Sequence, residues 1–192
     1  MAGSANFTVV LDECVFYPAN VRDLLIRCAL HGLFHAKWSN MIHDEWIKNL
    51  RLNRPDIDEN KLRATQHLMN QHILDAQVHD FEYLIDALNL PDPNDRHVLA
   101  AAIVGQADAI VTFNTKDFPH QNLAAHAIEV VHPDDFLLSL YDLYPIKILT
   151  IVQTIRSRLN NPTISADELL AKYEQVGLTG FAKVLQEAVG LI

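Results

Sequence analysis

The chain has 192 residues, 49% hydrophobic and 20% charged, an ordinary globular composition with enough apolar material for one core. Its formal net charge of −9 argues against a surface coated in positive charge for sequence-independent nucleic-acid binding, although bound cations or a local basic stripe reverse that sign where it matters. The two cysteines, Cys14 and Cys28, have no CxxC neighbour, which excludes a zinc ribbon or thioredoxin-like motif and reads most simply as reduced thiols in a cytosol. No apolar run approaches the roughly 18 residues of a membrane span. The opening MAGSANF lacks the basic and apolar regions of a secretory leader.

The predicted elements begin with a short apolar run, residues 7–11, whose valines suit a central buried strand. Pro18 fits the first turn of a helix reaching about residue 31, with Val21, Leu24, Leu25, Cys28 and Ala29 on its inward face and Gly32 ending it. Ser39 caps a second helix through residue 50, with Ile42, Trp46, Ile47 and Leu50 inward. After a break at Pro55, a third helix is predicted over 58–74 with Leu62, Thr65, Leu68 and Met69 inward, then a short helical piece over 81–88.

The stretch LPDPNDRHVLAAAIVGQ opens with Asp92 as a helix cap and Pro93 at the first helical position, and Ala100, Ala101 and Ala102 are small enough to let that helix lie close to a sheet. ADAIVTF and AIEVV read as two further strands. Strands separated by helices imply parallel pairing in an α/β layer. From Pro133 onward the pattern is helical, with helices in PDDFLLSLYDLY and IKILTIVQTIRSRLN, a capping box from Ser165 and Glu168, and a last helix after Gly177 ending near residue 189. A boundary near Pro145 divides the chain into residues 1–144 and a helical extension, 145–192.

Three acids stand where strands end or helices begin, Asp12 after the first strand, Asp95 in the first turn of the alanine-rich helix and Asp117 in TFNTKDFP, with Asn114 three residues before it, and a fourth, Glu45 in HDEW, lies inside the second helix. Ligands of a parallel sheet bind outside the carboxyl ends of its strands, so Asp12, Asp95 and Asp117 converge at one edge. Clustered carboxylates stay ionised only beside positive charge, and oxygen-only ligands select hard cations such as Mg²⁺ or Mn²⁺. The chemistry indicated is metal-dependent phosphodiester hydrolysis. Each acid also has a plainer role: Asp95 beside a helix dipole, Asp12 in a turn or cap, Glu45 solvated, Asp117 in a turn. Strand alternation sends Glu13 to the face opposite Asp12 and leaves it a bystander. The chain has no GxSxG, HExxH, P-loop or GxGxxG, and its ten histidines form no pair with metal-ligand spacing.

VVLDECVFYPANVRDLLIRCAL, WSNMIHDEWIKNL, LPDPNDRHVLAAAI and ADAIVTFNTKDFP, in that order, resemble the PIN-domain nucleases, especially the bacterial VapC-like toxins, over about residues 7–135. The resemblance implies a three-layer α/β/α sandwich on a parallel sheet and a Mg²⁺- or Mn²⁺-dependent endoribonuclease acting on single-stranded RNA in the cytoplasm. It matches Asp12, Glu45, Asp95 and Asp117 to the family's acids, with Asn114 as a polar helper. Many members carry Asn two residues after the first Asp, where this chain has Cys14. The helical tail either packs on the domain, makes a dimer contact or receives an antitoxin. For the RNA backbone, Lys48 and Arg51 come from a basic group with Arg54, Lys61 and Arg63, while Arg96 and Lys116 flank two of the acids. Two rivals share the fold: a non-catalytic RNA- or protein-binding module, and a DNA-directed or structure-selective nuclease.

Overall fold

A computed structural model describes residues 7–192, so the amino-terminal stretch read above for a leader lies outside the described residues, Phe7 excepted. Strand β1 (Thr8–Leu11) leads into a single helical turn, α1 (Glu13–Phe16), and then α2 (Ala19–Leu30). Strand β2 (His35–Lys37) follows, then α3 (Asn40–Asn53) and α4 (Glu59–His72). Two 3-10 segments, Glu82–Ala87 and Pro93–Asp95, precede α5 (Arg96–Val104), β3 (Ala109–Val111), α6 (His120–Leu123) and β4 (Glu129–Val131). The carboxyl-terminal third is α7 (Pro133–Leu143), α8 (Pro145–Arg158), α9 (Ala166–Gln175) and α10 (Thr179–Gln186). Among the described residues no helix is long and apolar enough to cross a membrane.

The four strands form one parallel sheet in the order β2-β1-β3-β4. Val9, Val10 and Leu11 are wholly buried because β1 is interior, paired on both edges and covered on both faces. One helical layer holds α5, which packs on β1 and β3, together with α3 and α4; on the other side α2 packs on β2 and is backed by α8 and α9. The result is a three-layer α/β/α sandwich with a helical extension. Ala100, Ala101 and Ala102 are fully buried, and their small side chains let α5 sit close to the strands. After β1 the chain turns to β2, and after β2 it crosses back over β1 to β3. This reversal leaves a crevice at the carboxyl ends of β1 and β3, the switch point of such sheets.

Local chemistry explains most element ends. Ser39 Oγ accepts from the Ile42 N–H at 3.2 Å and starts α3. Ser165 and Glu168 form both bonds of a capping box. Gly177, at φ +92°, takes the left-handed conformation that separates α9 from α10. Tyr144 both closes α7 and opens α8, so no linker sets the helical extension apart. The extension is fastened by Asp134, whose two carboxylate oxygens accept from the Gly180 and Phe181 N–H groups at 2.8 Å each and cap α10 from the first turn of α7. Gly180 has to be small, since a Cβ there would lie 2.9 Å from Leu138 Cδ1 and 3.0 Å from Asp134 Oδ2.

The structure departs from the sequence expectations in several places. β2 has no counterpart among them. The 81–88 segment is a 3-10 helix, not α-helical. Leu68, expected inward, is 51% exposed, because α4 buries little beyond Leu62 and Met69 against α3. The last helix ends at Gln186, and residues Val189–Leu191 form a 3-10 turn.

Candidate active site

Asp12 sits at the end of β1, 2% exposed, and is held on both oxygens. Oδ1 accepts the Glu13 N–H at 2.7 Å, which makes Asp12 the cap of α1. Oδ2 accepts the Thr112 hydroxyl at 2.7 Å and the Cys14 thiol at 3.2 Å. Thr112 follows β3 and is wholly buried; its hydroxyl oxygen also accepts the Asn114 N–H at 2.9 Å, and Cys14 Sγ accepts the Phe113 N–H at 3.2 Å. The two strand ends are thereby clasped around one carboxylate. Burial pushes the Asp12 carboxyl above its usual range, the three donors pull it back, and the charge of Glu45 raises it again. Burial, then the neighbouring Asp12, holds the Cys14 thiol protonated.

Glu45 reaches the same edge from α3. Its Oε2 lies 2.9 Å from His97 Nε2 in the first turn of α5; an ionised carboxylate only accepts, so the imidazole N–H donates. Asp95 is half-buried at the start of α5. Its carboxyl is pushed up to about 7 by burial first, then by Asp12, Asp92, Asp117 and Glu45. Asp117 ends the 3-10 turn Thr115–Asp117, on the loop that Asn114 opens; Asn114 itself is exposed. Four separate segments therefore bring Asp12, Glu45 and Asp117 within electrostatic reach of Asp95, and Glu45 within reach of Asp12.

Glu13 corrects the sequence reading. Burial, then Asp12, Glu45 and Asp95, raise its carboxyl to about 8, so its charge lies among the acids and not on the far face. Strand alternation does not apply to it, because the strand ends at Leu11 and Glu13 begins a helical turn. Thr112 was missed altogether. The signal available was a hydroxyl directly after an apolar strand whose end lies beside that of β1.

The basic residues divide. Arg51 pairs with Glu59, Arg63 with Asp44 and Glu59, and Arg54 with Asp56. Among the described residues Lys48, Lys61 and Lys116 have no ion pair, and Arg96, beside Asp95, has a buried Nε without a hydrogen-bond partner. Lys48 and Lys116 are exposed, on α3 one turn beyond Glu45 and next to Asp117.

The donor set is all oxygen and carries uncompensated negative charge, which fits a hard divalent cation and suits no soft metal. Among the described residues no three carboxylate, histidine or cysteine side chains are already gathered as a ligating group. Asp12, Glu45, Asp95 and Asp117 could hold an ion only by drawing closer together.

Residues 8–116, which contain Asp12, Glu45, Asp95 and Thr112, match the PIN domain family. The chain belongs to that family. Residues 133–187 match the VapC50 C-terminal domain, which takes in α7 to α10 of this PIN protein. Over 50 residues it is 56% identical to "Putative ribonuclease VapC50" of Mycobacterium tuberculosis (strain ATCC 25618 / H37Rv). That alignment covers 26% of this chain and 30% of the relative. Outside the PIN domain, the chain is thus similar to VapC50 over its carboxyl-terminal part. No solved structure matches it.

Proposed function

We propose that the protein is an endoribonuclease dependent on Mg²⁺ or Mn²⁺, cutting single-stranded RNA, and the toxin of a bacterial toxin–antitoxin pair acting in the cytoplasm. What supports this reading is the negative charge near the ends of β1 and β3, where Glu45 raises the carboxyl of Asp12 and where Asp12, Asp117 and Glu45 raise that of Asp95. A binding module has no use for this repulsion, which costs stability unless a cation offsets it. The similarity to a protein named as a ribonuclease points to RNA as the polymer.

Held by Asp12, Glu45, Asp95 and Asp117, a hard divalent ion would supply Lewis acidity, easing deprotonation of water at neutral pH and offsetting charge on the phosphate. Everything else falls to the chain. Thr112, Cys14 and the Glu13 N–H hold Asp12 in one orientation. His97 holds Glu45. Asn114 is the polar helper that orients water or the phosphate. Lys48, Arg96 and Lys116 meet the RNA backbone, while Arg51 serves chiefly to tie α3 to Glu59 on α4. The helical extension is the candidate surface for an antitoxin or a second copy of the chain.

The test is cleavage of a single-stranded RNA and of the matched DNA with Mn²⁺, by wild type and by Asp12→Asn. RNA cleavage by the wild type alone is expected. Equal cleavage by Asp12→Asn refutes the site, and cleavage of DNA in preference to RNA refutes the substrate.

A further inference from the structure

Beside Glu45 and His97 the surface opens into a cleft of 440 Å³, walled by α3 on one side and by the two 3-10 segments before α5 on the other. Its size falls within the roughly 300–1,000 Å³ of small-molecule sites. Met41, Ile85 and Pro93 give it an apolar lining, and Lys48 and Asn94 stand among them. Met41, Glu45 and Lys48 are four and three residues apart on α3, so apolar wall, acid and cation lie in that order along one helix face.

The charge pattern selects what fits there. The arginines on this side are neutralised by Glu59, Asp44 and Asp56, whereas Lys48 has no ion pair among the described residues and lines both this cleft and the neighbouring groove between α3 and α4. Asn94 gives its backbone N–H to Asp92 Oδ1 at 2.9 Å and lines the cleft, and an asparagine amide offers both a donor and an acceptor. A slot with apolar walls, one amide and one cation, lined on its remaining sides by Asp44, Glu45 and His97, is complementary to the base of a nucleotide, a flat apolar ring with a polar edge, with Lys48 the group placed to meet a phosphate.

We propose that this cleft takes the splayed-out base of a nucleotide flanking the scissile phosphate of single-stranded RNA, with Asn94 at the polar edge of the base and Lys48 on the next phosphate. The inference rests on the ribonuclease reading and deepens it. A paired base enters only by giving up its pairing and stacking, so the cleft favours unpaired RNA.

The experiment compares an intact RNA oligonucleotide with oligonucleotides that carry an abasic ribose at one position or the other beside the cleavage point. With Mn²⁺, the wild type should cleave the intact strand at least about tenfold more efficiently (kcat/KM) than one of the abasic strands, the scale of one lost base contact. In Met41→Ala and Ile85→Ala that ratio should collapse toward one. A ratio near one in the wild type, or an undiminished ratio in both variants, overturns the proposal. If the wild type cuts no RNA, the ribonuclease reading fails. The cleft is then judged by the affinity of Asp12→Asn for the same strands, and equal affinity for intact and abasic RNA overturns it. In that binding assay Lys48→Gln should lower the slope of log Kd against log salt by about 0.7, and an unchanged slope removes Lys48 from the site.

Discussion

Glu13→Gln is expected to stabilise the metal-free protein, by an amount that grows with pH. The Glu13 carboxyl lies near 8 in the fold, against an ordinary 4.5. The folded state therefore binds more protons than the unfolded chain between those values, and stability falls as pH rises through that window. At about 1.4 kcal/mol per pH unit the full cost approaches about 5 kcal/mol, but Glu13 is only partly buried and solvent screening reduces this to about 2 kcal/mol. Glutamine keeps the shape and removes the charge. The variant should match the wild type near pH 4.5 and melt about 4–8 °C higher above pH 8, given about 2–4 °C per kcal/mol for a chain of this size. The assay is a melting curve in EDTA at several pH values. Saturating Mn²⁺ should narrow the gap, because the ion compensates the charge that glutamine removes. Equal melting of the two proteins at about pH 8.5 in EDTA, or a gain as large at pH 5 as at 8.5, refutes the placement of Glu13 among the acids.

Mn²⁺ should raise the melting temperature of the wild type and leave Asp12→Asn unmoved, since that variant removes the ligand that both strands support; thermal shift across a Mn²⁺ titration reads this directly. Thr112→Val removes the 2.7 Å donor to Asp12 and orphans the Asn114 N–H, at a cost of about 2–3 kcal/mol in urea unfolding together with weaker Mn²⁺ affinity. Asp134→Ala uncaps α10 and should cost about 2 kcal/mol by the same measurement, with Mn²⁺ affinity unchanged. EDTA should abolish RNA cleavage, and Mg²⁺ or Mn²⁺ but not Ca²⁺ at equal concentration should restore the full rate.

The sequence carried the parts of the fold whose signals are local. Caps at Ser39, Asp92 and Ser165 were read from side chains that bond within three residues. The apolar run of β1 and the small residues of α5 announced a covered sheet. β2 was silent because only Ala36 of its three residues is buried, and His35 and Lys37 carry no apolar alternation. Leu68 misled because helical spacing alone does not say how wide a face the neighbouring helix covers. At the site, a shared edge for Asp12, Asp95 and Asp117 could be argued from sequence because a parallel sheet puts all strand ends at one edge, whereas Glu45, inside a helix, was suggested by the family resemblance. Glu13 and Thr112 escaped because the one depends on where β1 stops and the other on a bond to a residue far along the chain.

That bond spans 100 residues: Asp12 receives the Thr112 hydroxyl only once β3 has paired with β1. Contacts this distant form late, because loop closure has to be met before they are rewarded. A chain under synthesis therefore carries Asp12 long before it carries the clasp that orients it. Any fragment that stops short of Thr112 holds Asp12, Glu45 and Asp95 without the second wall of the crevice. For a protein proposed to destroy RNA, the topology of the sheet acts as a timer that withholds the assembled centre until the greater part of the polypeptide has been made.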